Sequence, residues 1–280
     1  MRVGYLGPAG TVSHEALMTA PGANGFELVP QPTLHAAVLA VHDGDVDRVL
    51  VPFENALEGS VNPVLDALVF EAEELVIVGE LRHPVHFCLV TNAEWELDAV
   101  HSVVSHPQAT GQCARFLRET LPHAEIFPAS STADAVRRIA ENAEPYMAAL
   151  GTRGAAELYG CTILRENVED HPDNETRFVW LARAGSELPA AAGERFKTAL
   201  VFWGAGSSGP GWLVRCLSEF AERDVNLTRI ESRPLRQGLG EYMFFLDLDG
   251  RDSDPAVADA VAGLRAHADV VRVLGSFPAA

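Results

Sequence analysis

The chain has 280 residues, 48% hydrophobic and 21% charged, enough for two domains with real cores and close to an ordinary globular balance. Its 39 acidic residues against 21 basic ones give a formal charge of −18, a field that repels nucleic acid and anionic membranes, so neither is expected as a partner. No run approaches the roughly 18 apolar residues of a membrane span, and "MRVGYLGPAG" lacks a signal peptide's apolar core, so a cytoplasmic protein is expected.

Short apolar runs alternate with helical patterns through residues 1–183. "RVGYL" is a strand ending at "GPAGT", and "PTLHAAVLAVHDG" is a helix with Thr33 near its start and Gly44 past its end. "DRVLVPFEN" is a strand, "SVNPVLDALV" a helix, and "LVIVGEL" and "VHFCLV" are strands. Strand, turn and helix then repeat in "AVHSVVSHPQATGQCARFLRE" and "AEIFPASSTADAVRRIA". "YMAALG", a short helix, "CTILREN" and "NETRFVWLAR" complete the region. This alternation predicts an α/β fold with mainly parallel sheets. An Ala-, Gly- and Pro-rich linker at 184–196 separates it from residues 197–280, whose βαββαβ order is that of a small ferredoxin-like domain. Cys88, Cys113, Cys161 and Cys216 are widely spaced without a CxxC pair, which points to neither a zinc site nor a disulfide framework.

Polar turns follow the strands of residues 1–183. They carry Thr11 and Ser13, then Glu54, Asn55, Glu58 and Ser60, then His106 and Gln108, then Ser130, Ser131 and Thr132. In open α/β sheets ligands bind beyond the carboxyl ends of the strands, and helix starts present free N–H groups that suit carboxylates. The same residues also serve as ordinary helix caps, and His106 reads equally as a capped surface histidine or a proton donor.

In order along the chain, "YLGPAGT", "VPFENALEGSV", "SHPQATGQC", "SSTADA" and "NETRF" resemble the prephenate dehydratase family, and "GPGWL" with "NLTRIESRP" resembles its ACT regulatory domain. The resemblance implies a two-lobed catalytic region similar to periplasmic-type binding proteins over residues 1–183. Lobe 1 would take about 1–81 and 166–183, lobe 2 about 82–165, and the ACT domain 197–280. It implies a monofunctional enzyme, no helical chorismate mutase region preceding Met1, that converts prephenate to phenylpyruvate without a cofactor or metal. Arogenate dehydratase and a non-catalytic aromatic-ligand sensor are the alternatives.

The family's catalytic threonine falls on Thr176. Strand alternation puts Phe178 on its face and Arg177 on the other, where the arginine either anchors a substrate carboxylate or braces the lobes. The implied catalytic set is Thr176, Arg177 and Phe178, with Thr11, Ser13, Asn55, Ser60, His106, Gln108, Ser131 and Thr132 binding substrate. Phenylalanine is the implied effector of a homodimer or homotetramer, held by Gly211, Leu213, Asn226, Leu227, Glu231, Ser232 and Arg233. Ser208 and Trp212 stand where the family commonly has asparagine and alanine, and the indole is expected to narrow or reshape that pocket.

Overall fold

The structure, a computed structural model, describes residues 1–141, 145–186, 195–204, 206 and 209–280. Residues 187–194 of the expected linker, and Ser208, lie outside the described residues. The N-terminal stretch supplies β1 (Arg2–Leu6), α1 (Val12–Thr19), β2 (Glu27–Gln31), α2 (Leu34–His42), β3 (Arg48–Asn55), β4 (Gly59–Ser60), α3 (Asn62–Phe70) and β5 (Leu75–Pro84). There follow β6 (Cys88–Thr91), β7 (Ser102–Ser105), α4 (Pro107–Gln112), α5 (Ala114–Thr120), β8 (Glu125–Pro128) and α6 (Thr132–Glu141). Next come β9 (Met147–Gly151), α7 (Arg153–Tyr159), β10 (Thr162–Arg165) and β11 (Glu175–Arg183). The C-terminal part holds β12 (Phe196–Trp203), α8 (Trp212–Ala221), β13 (Leu227–Pro234), β14 (Tyr242–Asp249), α9 (Pro255–Leu264) and β15 (Val270–Pro278).

These strands form three sheets, ordered β2-β1-β3-β11-β5 with β4 on β3, β10-β6-β9-β7-β8, and β13-β14-β12-β15. Every strand and helix expected from the sequence is present. Two strands are additional: the two-residue β4, and β2, whose Pro30 fits because β2 is an edge strand and need not donate to a second neighbour. The expectation of mainly parallel sheets needs correction in the second sheet. There β7 pairs in parallel with β8 and β9, but β6 runs antiparallel to both β9 and β10.

The chain divides into two compact units, Met1–Glu71 with Leu81–Phe178, and Ala72–Glu80 with Val179–Ala280. In the first unit, Leu89, Val103, Ala148 and Leu150 face one core cluster, while Cys88, Val90, Val104 and Ala149 face another. The inner strands β6, β7 and β9 are thus covered on both faces, which explains their apolar sequences, while the edge strand β8 is exposed. The cysteines are free, and burial raises the thiol pKa of Cys88 to about 11.

The "GPAGT" turn and α1 are tied to α7. Thr152 Oγ1 donates to the Gly10 carbonyl (3.0 Å) and Gly154 N to Glu15 Oε1 (2.6 Å), with His83 Nε2 3.9 Å from Glu15 Oε2. Burial pushes the Glu15 carboxyl up, but His83, Thr152 and the Gly154 N–H together hold it below its ordinary 4.5. A depressed folded-state pKa contributes stability above the unfolded value, lost as pH falls through the folded one. Glu15→Gln is therefore expected to flatten the loss of stability below pH 4.5, measured by urea unfolding across that range.

In the second unit, α8 and α9 cover one face of the third sheet around Leu200, Phe202, Leu246 and Leu248. Gly275 lies against the Ile77 backbone so closely that a Cβ would fall on the Ile77 carbonyl oxygen. Lys197, the only lysine of the chain, donates to Glu80 Oε1 at 2.9 Å, and Ala280 N donates to the same oxygen at 2.9 Å. No helix among the described residues is long and apolar enough to cross a membrane.

Candidate active site

The strand-to-helix turns of both sheets in the first unit open on one cavity of about 460 Å³. The first sheet contributes Thr11 and Ser13 from the start of α1, Asn55, Glu58 and Ser60 from the β3–β4 turn, and Thr176 and Phe178 from β11. The second contributes His106 and Gln108 from the start of α4, and Ser130, Ser131 and Thr132 from the start of α6. All eight expected substrate binders therefore line one space with Thr176 and Phe178. Proximity does not make them equivalent, because several are already committed to hydrogen bonds within the protein.

Thr11 caps α1: its Oγ1 accepts from His14 N (3.3 Å) and donates to the Leu6 carbonyl (2.9 Å), leaving the hydroxyl hydrogen engaged. Ser131 caps α6 by accepting from Asp134 N at 2.9 Å, a role that leaves its own hydrogen for the cavity. Ser130 Oγ donates to Asp134 Oδ2 at 2.9 Å. Burial pushes that carboxyl up, and Arg137, Ser130 and Arg138 outweigh it to hold it below the usual range. Ser13 and Thr132, both buried and lining the cavity, make no side-chain hydrogen bond to any described residue. His106 caps α4, its Nδ1 accepting from Gln108 N at 3.3 Å, so the neutral ring carries its proton on Nε2. Apart from Glu58 and His106, the lining has no ionisable side chain.

On β11 the period-two alternation holds. Thr176 and Phe178 face the cavity, and the buried Arg177 does not. Its guanidinium lies over the Phe53 ring, 5.3 Å from the centroid, with Nη1 3.6 Å from Glu54 Oε2. These two contacts tie β11 to its neighbour β3 within the first sheet, and Arg177 is not among the residues lining the cavity.

The sequence reading missed Gln112 and Asn174. Gln112 lines the cavity and donates to Glu58 Oε1 (3.2 Å), while Asn174 donates to Gln112 Oε1 (2.9 Å). Asn55 Nδ2 donates to Asn174 Oδ1 (2.8 Å) and Thr176 Oγ1 (2.9 Å). Both missed residues sit within "SHPQATGQC" and "NETRF", and the available signal was that each is polar next to a buried element.

In the second unit, Gly211 takes a left-handed conformation (φ 75°) at the start of α8, where a side chain would be strained. Leu213 and Leu227 pack against the same core cluster, and Asn226 Nδ2 donates to Asp249 Oδ2 at 2.7 Å. Glu231, Ser232 and Arg233 continue along the edge strand β13. Trp212 departs from expectation: its indole is buried between Phe202 and Phe244 and donates to the His267 carbonyl at 2.7 Å. Its indole is part of the core of this unit.

Comparison with known proteins agrees with this architecture. Residues 3–186 match the family model for prephenate dehydratase. A prephenate dehydratase of Amycolatopsis methanolica is 39% identical over 276 residues, 99% of this chain and 88% of that protein. The crystal structure of a prephenate dehydratase from Arthrobacter aurescens, in complex with L-Phe, is similar with a TM-score of 0.89 and 39% identity, covering 99% of this chain and 90% of that one. The structure of GqqA, described as a novel type of quorum quenching acylase, has a TM-score of 0.87 at 32% identity, covering 100% and 98%.

Proposed function

The chain belongs to the prephenate dehydratase family and catalyses the decarboxylating dehydration of prephenate to phenylpyruvate in phenylalanine biosynthesis; we propose that the reaction runs in the cavity described above, with the Thr176 hydroxyl as donor to the departing hydroxyl group. Prephenate carries a ring carboxylate, a pyruvyl carboxylate and a ring hydroxyl opposite the quaternary carbon. The bond from that carbon to the ring carboxylate breaks, its electrons enter the ring, and the hydroxyl leaves. The dianion takes up one proton and yields CO2, water and the phenylpyruvate monoanion. No redox step occurs, and aromaticity drives the reaction.

The observation that carries this reading is the set of uncommitted donors around Thr176 in a cavity without a lysine or arginine. Ser13, Thr132, Gln108 and the Ser131 hydroxyl supply neutral hydrogen bonds for the two carboxylates, and the His106 Nε2–H supplies another. A cation on the ring carboxylate would hold the ground state more tightly than a transition state already losing that charge, and would slow the step. Phe178 walls the ring and keeps water away. Assistance by a positioned donor contributes about 10²–10⁴-fold, and positioning within a dry cavity adds to it. Amide hydrolysis, the chemistry of an acylase, needs a base beside its nucleophile. Thr176 has the Asn55 amide donating to it, so it is arranged to give a hydrogen bond rather than to lose a proton.

The C-terminal unit is proposed to bind phenylalanine in an oligomer of the chain, a dimer or tetramer, using the start of α8 and β13. The L-Phe complex of the Arthrobacter aurescens relative supports this reading. The proposed domain boundaries are residues 1–183 catalytic, 184–196 a linker and 197–280 regulatory, beside a family-model match over residues 3–186. The test is phenylpyruvate formation by purified protein with and without millimolar phenylalanine. Turnover that phenylalanine suppresses is expected, and turnover indifferent to it removes the regulatory assignment.

A further inference from the structure

Side chains from three distant segments form one hydrogen-bonded line ending at Thr176. It runs from Glu58 through Gln112 and Asn174 to Asn55, every bond between 2.8 and 3.2 Å. A side-chain amide has two orientations that its neighbours must decide between, and here both ends of the line decide. An ionised carboxylate only accepts, so Gln112 turns its NH2 to Glu58 and its oxygen to Asn174. Asn174 in turn presents its oxygen to Asn55. At the other end, the backbone N–H groups of Leu57 and Glu58 both donate to Asn55 Oδ1 at 3.0 Å, and a backbone N–H cannot accept. The two ends impose the same orientation on Asn55, with its NH2 toward Thr176. Asn55 thus divides its two N–H hydrogens among Asn174, Thr176 and, at the longer 3.2 Å, the Glu175 carbonyl, and spends its oxygen on the turn. Thr176 Oγ1 accepts from Asn55, and its own hydrogen is left for the cavity.

We propose that Asn55, Asn174 and Gln112 are positioning residues that hold the Thr176 hydroxyl as a donor into the cavity, with Asn55 acting on Thr176 and not on the substrate. This rests on the assignment of Thr176 to the reaction, and the test separates the two. Asn55→Asp keeps an acceptor for the Leu57 and Glu58 N–H groups and so keeps the turn, but it offers Thr176 only an acceptor. The hydroxyl then donates inward and is lost to the substrate.

The expected result is a fall in kcat of at least about 100-fold, with KM within about threefold. In a double-mutant cycle, Asn55→Asp combined with Thr176→Val should be no slower than Thr176→Val alone, because both changes remove one donor. Asn55→Ala, which adds no charge, runs the same cycle should the aspartate variant fail to fold. Losses that multiply would show Asn55 touching the substrate and overturn the inference. So would an Asn55→Asp variant with native kcat beside a slow Thr176→Val. A Thr176→Val enzyme as fast as the native one would instead overturn the assignment of Thr176 itself.

Discussion

Thr176→Val is expected to lower kcat for phenylpyruvate formation by about 10²–10⁴-fold, the range a positioned proton or hydrogen-bond donor contributes. Valine matches threonine in shape, so β11 keeps its packing, at a cost of about 1–3 kcal/mol for the acceptor taken from the buried Asn55 amide. Prephenate binding should survive, because the carboxylates are assigned to donors on α1, α4 and α6, away from β11. Steady-state rates with binding measured by calorimetry separate the two effects. Lost affinity with an unchanged chemical step would place Thr176 on a carboxylate. The direction of the Thr176 hydroxyl makes the expected loss large: threonine is a poor acid, and it contributes as a donor fixed before the ring hydroxyl begins to leave.

Lys197→Met is expected to destabilise the chain by about 3–5 kcal/mol, the cost of stripping one partner from a buried ion pair. The Glu80 side chain has 0% exposure, so its charge has no access to water once the ammonium is gone. The Ala280 N–H also donates to Glu80 Oε1, but a neutral amide does not replace the ammonium charge. A lower midpoint in urea unfolding checks this, and an unchanged midpoint contradicts it. Pairing the change with Glu80→Leu should recover most of the loss, since replacing both partners of a buried pair with apolar groups is often neutral or better. The pair joins β5 to β12, elements more than a hundred residues apart, within one compact unit.

Much of this was legible in the sequence where local chemistry decides the outcome. Thr33 caps α2 as its position before the apolar period suggested, and the alternation in "NETRF" put Thr176 and Phe178 on the cavity side and Arg177 on Glu54 and Phe53. Long-range choices were not legible. Asn55 and Asn174 are 119 residues apart, and no local pattern says that two polar side chains will meet in a buried line. The antiparallel placement of β6 depends on β9 being laid down beside it, well after β6 in the chain. The association of Ala72–Glu80 with the C-terminal strands is tertiary in the same way. The burial of Trp212 was not legible either, because a helix start read as a ligand site is also the edge of a core, and an indole whose N–H reaches a carbonyl is stable there. Thr11 shows the converse: a candidate ligand on sequence grounds turns out to be spent as a cap.

The most direct test of the account is a crystal structure of the slow Thr176→Val variant with prephenate bound. The account predicts prephenate in the cavity, its ring hydroxyl in van der Waals contact with the introduced valine side chain, its ring against Phe178 and its carboxylates on the starts of α1, α4 and α6. Prephenate bound with its ring hydroxyl turned away from position 176, or with a carboxylate on the Asn55 amide, would contradict it.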